Sequence, residues 1–159
     1  MSRTIEREEL EGLSPIIEAA REKANQSTCM KDRRGAVVFR DGQILGVAFN
    51  GPVSPHECNP GICFAICGLY AMHAERAAIM DAIAKGHDLE QASVLHVKVG
   101  EGGQVQVSGE LRCEDCTGYM MCFLRKGTTL KEFYIFQENG WTAHTIPEAD
   151  KITRKNLDL

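Results

Sequence analysis

Apolar residues recur along the chain with two periods, one helical and one of strand type. Ile16, Ile17, Ala20 and Ala24 form a helical stripe. Ser14-Pro15 stands just ahead of them, a capping residue followed by proline at a first helical position, and predicts that this helix begins there. A shorter helix before it is expected to start at Thr4, with Glu6 and Glu8 in its first turn. After a break at Gln26-Ser27-Thr28, two β-rich runs, 35–40 and 44–49, are joined by Asp41-Gly42, which predicts a hairpin. Residues 50–69 read as an irregular segment with Pro52, Pro55 and Pro60. Further on, the pattern predicts a helix over 70–84 ending at Gly86, a strand over 93–99, a Gly-rich turn at 100–103 and a second arm over 104–107. A helix over 114–126 closed by Gly127, a buried strand over 133–136 and a helix from Pro147 complete the series. The order α-β-β-α-β-α-β-α predicts an α/β fold in layers. Its mixed sheet starts with a hairpin and grows in parallel through helical crossovers.

A length of 159 residues fits one domain spanning 1–159. Hydrophobic residues at 43% and charged residues at 25% are ordinary for a globular protein and exclude a disordered chain. No apolar run approaches the roughly 20 residues needed to span a bilayer, and the N-terminus lacks a signal-peptide core. A cytoplasmic location is therefore expected. The net charge of −4 weighs against a protein built to grip polymeric nucleic acid by its phosphates.

Cysteine changes the picture. Seven are present, an odd number that cannot pair fully within one chain, and a reducing compartment disfavours disulfides, so metal binding or catalysis is the better reading. Two motifs give it form. His73-Ala74-Glu75 opens one expected helix, and Cys113-Glu114-Asp115-Cys116 opens another. Two thiolates three residues apart at a helix entry can grip one zinc ion, and the helix dipole lowers their pKa. His73 is the candidate third ligand, which leaves a fourth position open, the mark of a catalytic zinc. Glu75 is then placed to carry a proton near the metal without binding it; the pair of motifs resembles the signature of zinc deaminases of nucleobases, His-x-Glu followed by Pro-Cys-x-x-Cys. His56, Cys58, Cys63 and Cys67 could make a second, structural zinc site, the alternative being small buried residues or free thiols. Cys29 and Cys122 are expected to pack as small hydrophobes. Lys31, Arg33 and Arg34 form a basic cluster, either a phosphate contact or a solvated face. His87 and His96 carry no readable role.

On these residues the chain, from about 35 to 136, resembles the cytidine and deoxycytidylate deaminase superfamily. Gly35-Ala36-Val37-Val38 and Phe49-Asn50-Gly51-Pro52 are similar to the first hairpin of the deoxycytidylate branch, as is the cysteine-bearing segment 56–67. Ala74-Glu75-Arg76-Ala77-Ala78-Ile79 reads closer to the free-nucleoside cytidine deaminases. Arg112 stands where a proline is expected and Ala77 where the deoxycytidylate branch has asparagine; an inserted arm over 100–111 stretches the interval from His73 to Cys113. These departures touch neither the candidate ligands nor Glu75.

The resemblance implies a three-layer α/β/α cytidine-deaminase-like sandwich and one catalytic zinc per chain. It implies Asn50 as a substrate contact and the backbone N–H of Ala74 as donor to the base carbonyl. Trp141, His144 and Tyr134 fall where related enzymes place loops over the substrate, and a homo-oligomer is expected. The activity it implies is deamination of the cytosine ring of a small nucleotide, dCMP to dUMP and ammonia first. Free cytidine or deoxycytidine follows, then another aminated heterocycle or a nucleic-acid base. The alternative from another class is a zinc-stabilised binding module without turnover.

Overall fold

The structure is a computed structural model that describes residues 1–52, 58–59, 61, 63 and 71–159. Among the described residues, seven strands form one mixed sheet: β1 (Ser2–Thr4), β2 (Arg33–Arg40), β3 (Gln43–Phe49), β4 (Ser93–Val99), β5 (Val105–Gln106), β6 (Glu132–Gln137) and β7 (Gly140–Thr145). The strand order is β1-β7-β6-β4-β2-β3, with the short β5 pairing β4. Among the described residues four α-helices flank it: α1 (Arg7–Gln26), α2 (Ala74–Ala84), α3 (Glu114–Arg125) and α4 (Ile146–Asn156).

The layers follow from strand alternation. Val37, Phe39, Leu95, Val97 and Tyr134 point to one face and pack with Leu13, Ile16, Ala20 and Ala24 of α1. Ala36, Val38, Val94, Phe133 and Ile135 point to the other and pack with α2, α3 and α4. Both faces are covered, which is why the central strands read as unbroken apolar runs. The result is the three-layer α/β/α sandwich with a mixed sheet.

Two glycines set how closely the helices lie. A Cβ on Gly35 of β2 would collide with the backbone of α1 at Ala20 and Ala24, and one on Gly46 of β3 with the backbone of α2 at Ala78 and Ala82. Paired with alanines, they draw both helices down onto the sheet. The β2–β3 hairpin turns at Asp41 and Gly42, with φ of 50° and 76°, the left-handed pair of a type I′ turn.

The N- and C-terminal parts differ from the sequence expectation. There is one helix over Arg7–Gln26, with Pro15 inside it, in place of a break at Ser14. Leu13 is buried on the same stripe as Ile16, Ala20 and Ala24, so continuous burial outweighs the lost hydrogen bond, which falls on an exposed face. Thr4 caps no helix; it pairs with Thr142 in β1. β4 and β6 are parallel as expected, but the chain then folds back as the antiparallel hairpin β6–β7. Trp141 and His144 therefore belong to β7 and are buried. Asn139-Gly140 is the turn signal that marks this hairpin in the sequence. Residue 70 lies outside the described set, and α2 starts at Ala74.

Candidate active site

His73 and Cys113 occupy equivalent places. Each is the N-cap of its helix, with extended backbone, His73 for α2 and Cys113 for α3. The thiol of Cys113 accepts from the backbone N–H of Cys116 at 3.3 Å, so the helix start itself brings the second cysteine round to the first. His73 Nδ1 lies 3.1 Å from Cys113 Sγ and 3.2 Å from Cys116 Sγ, and the two sulfurs are 2.9 Å apart. Among the described residues, these are the three side chains grouped closely enough to hold a metal ion. Two thiols and an imidazole are the donor set of a zinc site with a fourth position to spare.

The electrostatics suit a cation. Its hydrogen bond with Cys116 and the neighbouring His73 push the Cys113 thiol down to about 6, against the effect of burial. That same bond and burial push Cys116 up. The contact with Cys113 raises His73. Glu75, in the first turn of α2, is buried, and its Oε2 lies 3.4 Å from Cys116 Sγ. Burial would raise its carboxyl, but the His96 and His73 imidazoles and the start of the helix outweigh it and hold it below the ordinary value.

These groups line a cavity of about 510 Å³. Ala74, Asn50, Lys31, Arg34 and Arg112 also face it. Ala74 is the first residue of α2, where a backbone N–H has no partner within the helix. Asn50 is engaged on three sides: Oδ1 accepts from the Arg34 N–H and from Ser27 Oγ, both at 2.8 Å, and Nδ2 donates to the Asp32 carbonyl at 2.8 Å. The basic cluster divides. Arg34 pairs with Asp32 at 3.3 Å inside the cavity, Lys31 faces it, and Arg33 turns to the Gly100 carbonyl.

Cysteines outside the motif depart from expectation. Cys122 is exposed on α3, because that helix spends its buried face on Cys116, Thr117 and Met120. Cys29 is half-buried and lines the cavity rather than the core. Of the candidate second zinc set, His56 and Cys67 lie outside the described residues. Cys63 lines the cavity, and Cys58 Sγ accepts from the Met30 N–H at 3.5 Å.

Sequence reasoning missed two parts of the cavity wall. His96 of β4 is 1% exposed and reaches the floor of the cavity beside Glu75. The inserted arm forms one side, with Ser108, Glu110 and Leu111 facing inward. It is pinned to the body at several points: Arg21 and Asn25 donate to the Gly103 carbonyl, Asn156 to that of Leu111, and the Ser108 N–H to that of Phe136. No local pattern betrays either, since one depends on strand register and the other on contacts distant in sequence.

The fold and the donor set together define a zinc-binding deaminase, a hydrolase acting on C–N bonds. Residues 11–125 match the family model described as the cytidine and deoxycytidylate deaminase zinc-binding region, and the chain belongs to that family. Among solved structures, the chain is similar to a cytidine deaminase from Burkholderia pseudomallei, with 18% identity over 86% of this chain and 94% of that one and a TM-score of 0.57. It is also similar to the dCMP deaminase of cyanophage S-TIM5 in its apo form, with 18% identity over 79% and 81% of the two chains and a TM-score of 0.52. The same phage enzyme in complex with dCMP and dUMP gives a TM-score of 0.50. No curated protein matches the sequence. Among the described residues, no helix is long and apolar enough to cross a membrane.

Proposed function

We propose that the protein is a zinc-dependent deaminase of the cytosine ring of a small nucleotide, with dCMP the first substrate to test, acting as a single domain in the cytoplasm. The observation that carries this reading is the buried Glu75 carboxylate beside the His73–Cys113–Cys116 triad on the floor of a nucleotide-sized cavity. His73, Cys113 and Cys116 hold the metal. When bound, zinc supplies the Lewis acidity that makes a water nucleophilic near neutral pH.

The rest of the chemistry belongs to the chain. Glu75 takes a proton from the attacking water and hands it to ring N3 as oxygen bonds to C4. It then carries the second proton of that water to the departing amine, so that cytosine and water become uracil and ammonia. The Ala74 N–H donates to the base carbonyl, and the remaining Nδ2 hydrogen of Asn50 is available to the sugar. α2 buries apolar residues on one side and shows two more on its outer side. Ala78, Ile79 and Ala82 are buried, while Met80 and Ile83 are about half exposed, which favours a homo-oligomer.

One observation favours a free nucleoside as the second reading. Arg34 and Arg112 are already ion-paired with Asp32 and Glu110. Among the described residues Lys31 is then the cavity-lining cation left without an ion pair. Ammonia release from dCMP, deoxycytidine, cytidine and a panel of aminated heterocycles tests both. Turnover of dCMP well above the nucleosides supports the nucleotide, preference for a nucleoside selects the second, and no turnover of any cytosine compound ends both.

A further inference from the structure

Glu75 has two oxygens and two polar neighbours. Oε2 faces Cys116, while Oε1 lies 3.7 Å from Nε2 of His96. His96 is a fully buried titratable side chain that the deamination scheme leaves unused. Its ring is held on three sides. Arg34 Nη1 reaches Nε2 at 3.3 Å, Ser108 Oγ lies 3.4 Å from Nδ1, and the Phe133 ring packs beside it with centroids 6.4 Å apart.

The tautomer follows from these partners. A guanidinium only donates, so Nε2 accepts from Arg34, and the single ring proton sits on Nδ1, directed at Ser108 Oγ. Burial pushes His96 down to about 4, against the charge of Glu75 and together with that of Arg34. Arg34 is itself anchored. Asp32 holds it at 3.3 Å, and Lys98 holds Asp32 at 2.8 Å. Strand register puts Arg34 opposite Lys98 and Ala36 opposite His96, so these side chains share the sheet face beneath the cavity.

We propose that His96 is a positioning residue for Glu75. Its ring, fixed by Arg34 and by Ser108 of the inserted arm, stands behind Oε1 and keeps the carboxylate from turning away from the His73–Cys113–Cys116 site. At 3.7 Å the ring touches Oε1 without a hydrogen bond and leaves both oxygens free for protons; it restricts the carboxylate only while Arg34 grips Nε2 and holds the ring in place, a hold that an acceptor side chain such as glutamine keeps and phenylalanine loses. The arm thereby gains a task beyond walling the cavity, because Ser108 selects the tautomer that lets Arg34 grip the ring. The inference rests on the reading of Glu75 as the proton carrier.

His96→Ala, His96→Phe, His96→Gln and Ser108→Ala test it with two readouts. In steady-state assays, the Ala and Phe variants are expected to lose roughly 10- to 100-fold in kcat with KM within about twofold. Gln, which restores an acceptor near Nε2, should recover most of kcat, and Ser108→Ala should lose a smaller factor in kcat alone. The second readout needs no turnover. In cobalt(II)-loaded protein, the visible spectrum of the Ala and Phe variants should move toward that of Glu75→Ala, while Gln stays near the unsubstituted protein. If His96→Ala does not fold, His96→Phe keeps the ring volume and decides the matter. A His96→Phe protein with unchanged kcat and unchanged cobalt spectrum overturns the proposal. A wild-type protein inactive on every substrate sinks the deaminase reading instead, and the cobalt spectra still decide the role of His96.

Discussion

Gly46 of β3 lies directly beneath Ala78 and Ala82 of α2, with its hypothetical Cβ only 2.6 Å from the Ala82 nitrogen. This contact fixes the height of α2 above the sheet. Since α2 carries His73 at its N-cap and Glu75 in its first turn, a glycine far from the reacting atoms sets the depth of the site.

Gly46→Ala should therefore cost stability and function together. The new methyl group meets backbone, which cannot swing aside, so overpacking of about 1–3 kcal/mol is expected. Urea denaturation reads it as a lower midpoint with an unchanged slope, and zinc affinity should fall as the N-terminus of α2 lifts. A midpoint equal to wild type would mean that the helix rises freely.

Glu75→Gln keeps the volume and removes the proposed proton carrier. Zinc content should stay at the wild-type level while kcat drops by roughly 10²- to 10⁴-fold. His73→Ala and Cys116→Ser should instead lose the metal, and Cys122→Ser should keep both metal and activity, because Cys122 is exposed on α3. Elemental analysis beside the activity assay separates these outcomes; undiminished turnover in Glu75→Gln ends the proposed mechanism.

Arg3 grips Glu132 with Nε and Nη2, both at 3.0 Å, and Tyr134 donates to the same carboxylate at 2.8 Å. Burial would raise the Glu132 carboxyl, but these bonds outweigh it and hold the group below its ordinary value of 4.5. A carboxyl depressed by folding stabilises the protein above pH 4.5, and that contribution fades as pH falls through the lower folded value. Arg3→Met should cost about 1–3 kcal/mol near neutral pH, since Glu132 is left with one partner. The gap between the two proteins should narrow in acid. A gap that stays constant down to pH 2 would place the effect elsewhere.

Pro15 sits in the interior of α1 on an exposed face. Pro15→Ala returns an N–H to the helix and relieves the ring's clash with the turn before it. An increase of about 1–2 kcal/mol is expected, below the full propensity difference because proline also stiffens the unfolded chain. Thermal melts should show a higher Tm; a lower one would mean that the proline bend is needed for packing on the sheet.

Much of this molecule is written locally. The Asp41-Gly42 turn, the β-rich run from Ser93 to Val99 and the glycine closing α3 each depend on neighbours in sequence, so pattern is enough to find them. The candidate metal site was legible for a similar reason. Two helix N-caps set the directions of His73 and Cys113, and capping is local chemistry. The sequence alone could not decide whether Ser14-Pro15 begins a new helix or lies inside a longer one, because that is settled by the burial of Leu13 against the sheet. The β6–β7 hairpin carries a local signal in Asn139-Gly140 that sequence reasoning missed, whereas the pairing of β1 with β7, whose partner is more than a hundred residues away, has none. His96 is the sharpest case. In the sequence it is one polar residue in an apolar run. The parallel pairing of β4 with β6 and its register against β2 bury it beside Glu75, where Arg34 and the inserted arm reach it. Local chemistry wrote the candidate ligands; long-range packing decided what stands behind them.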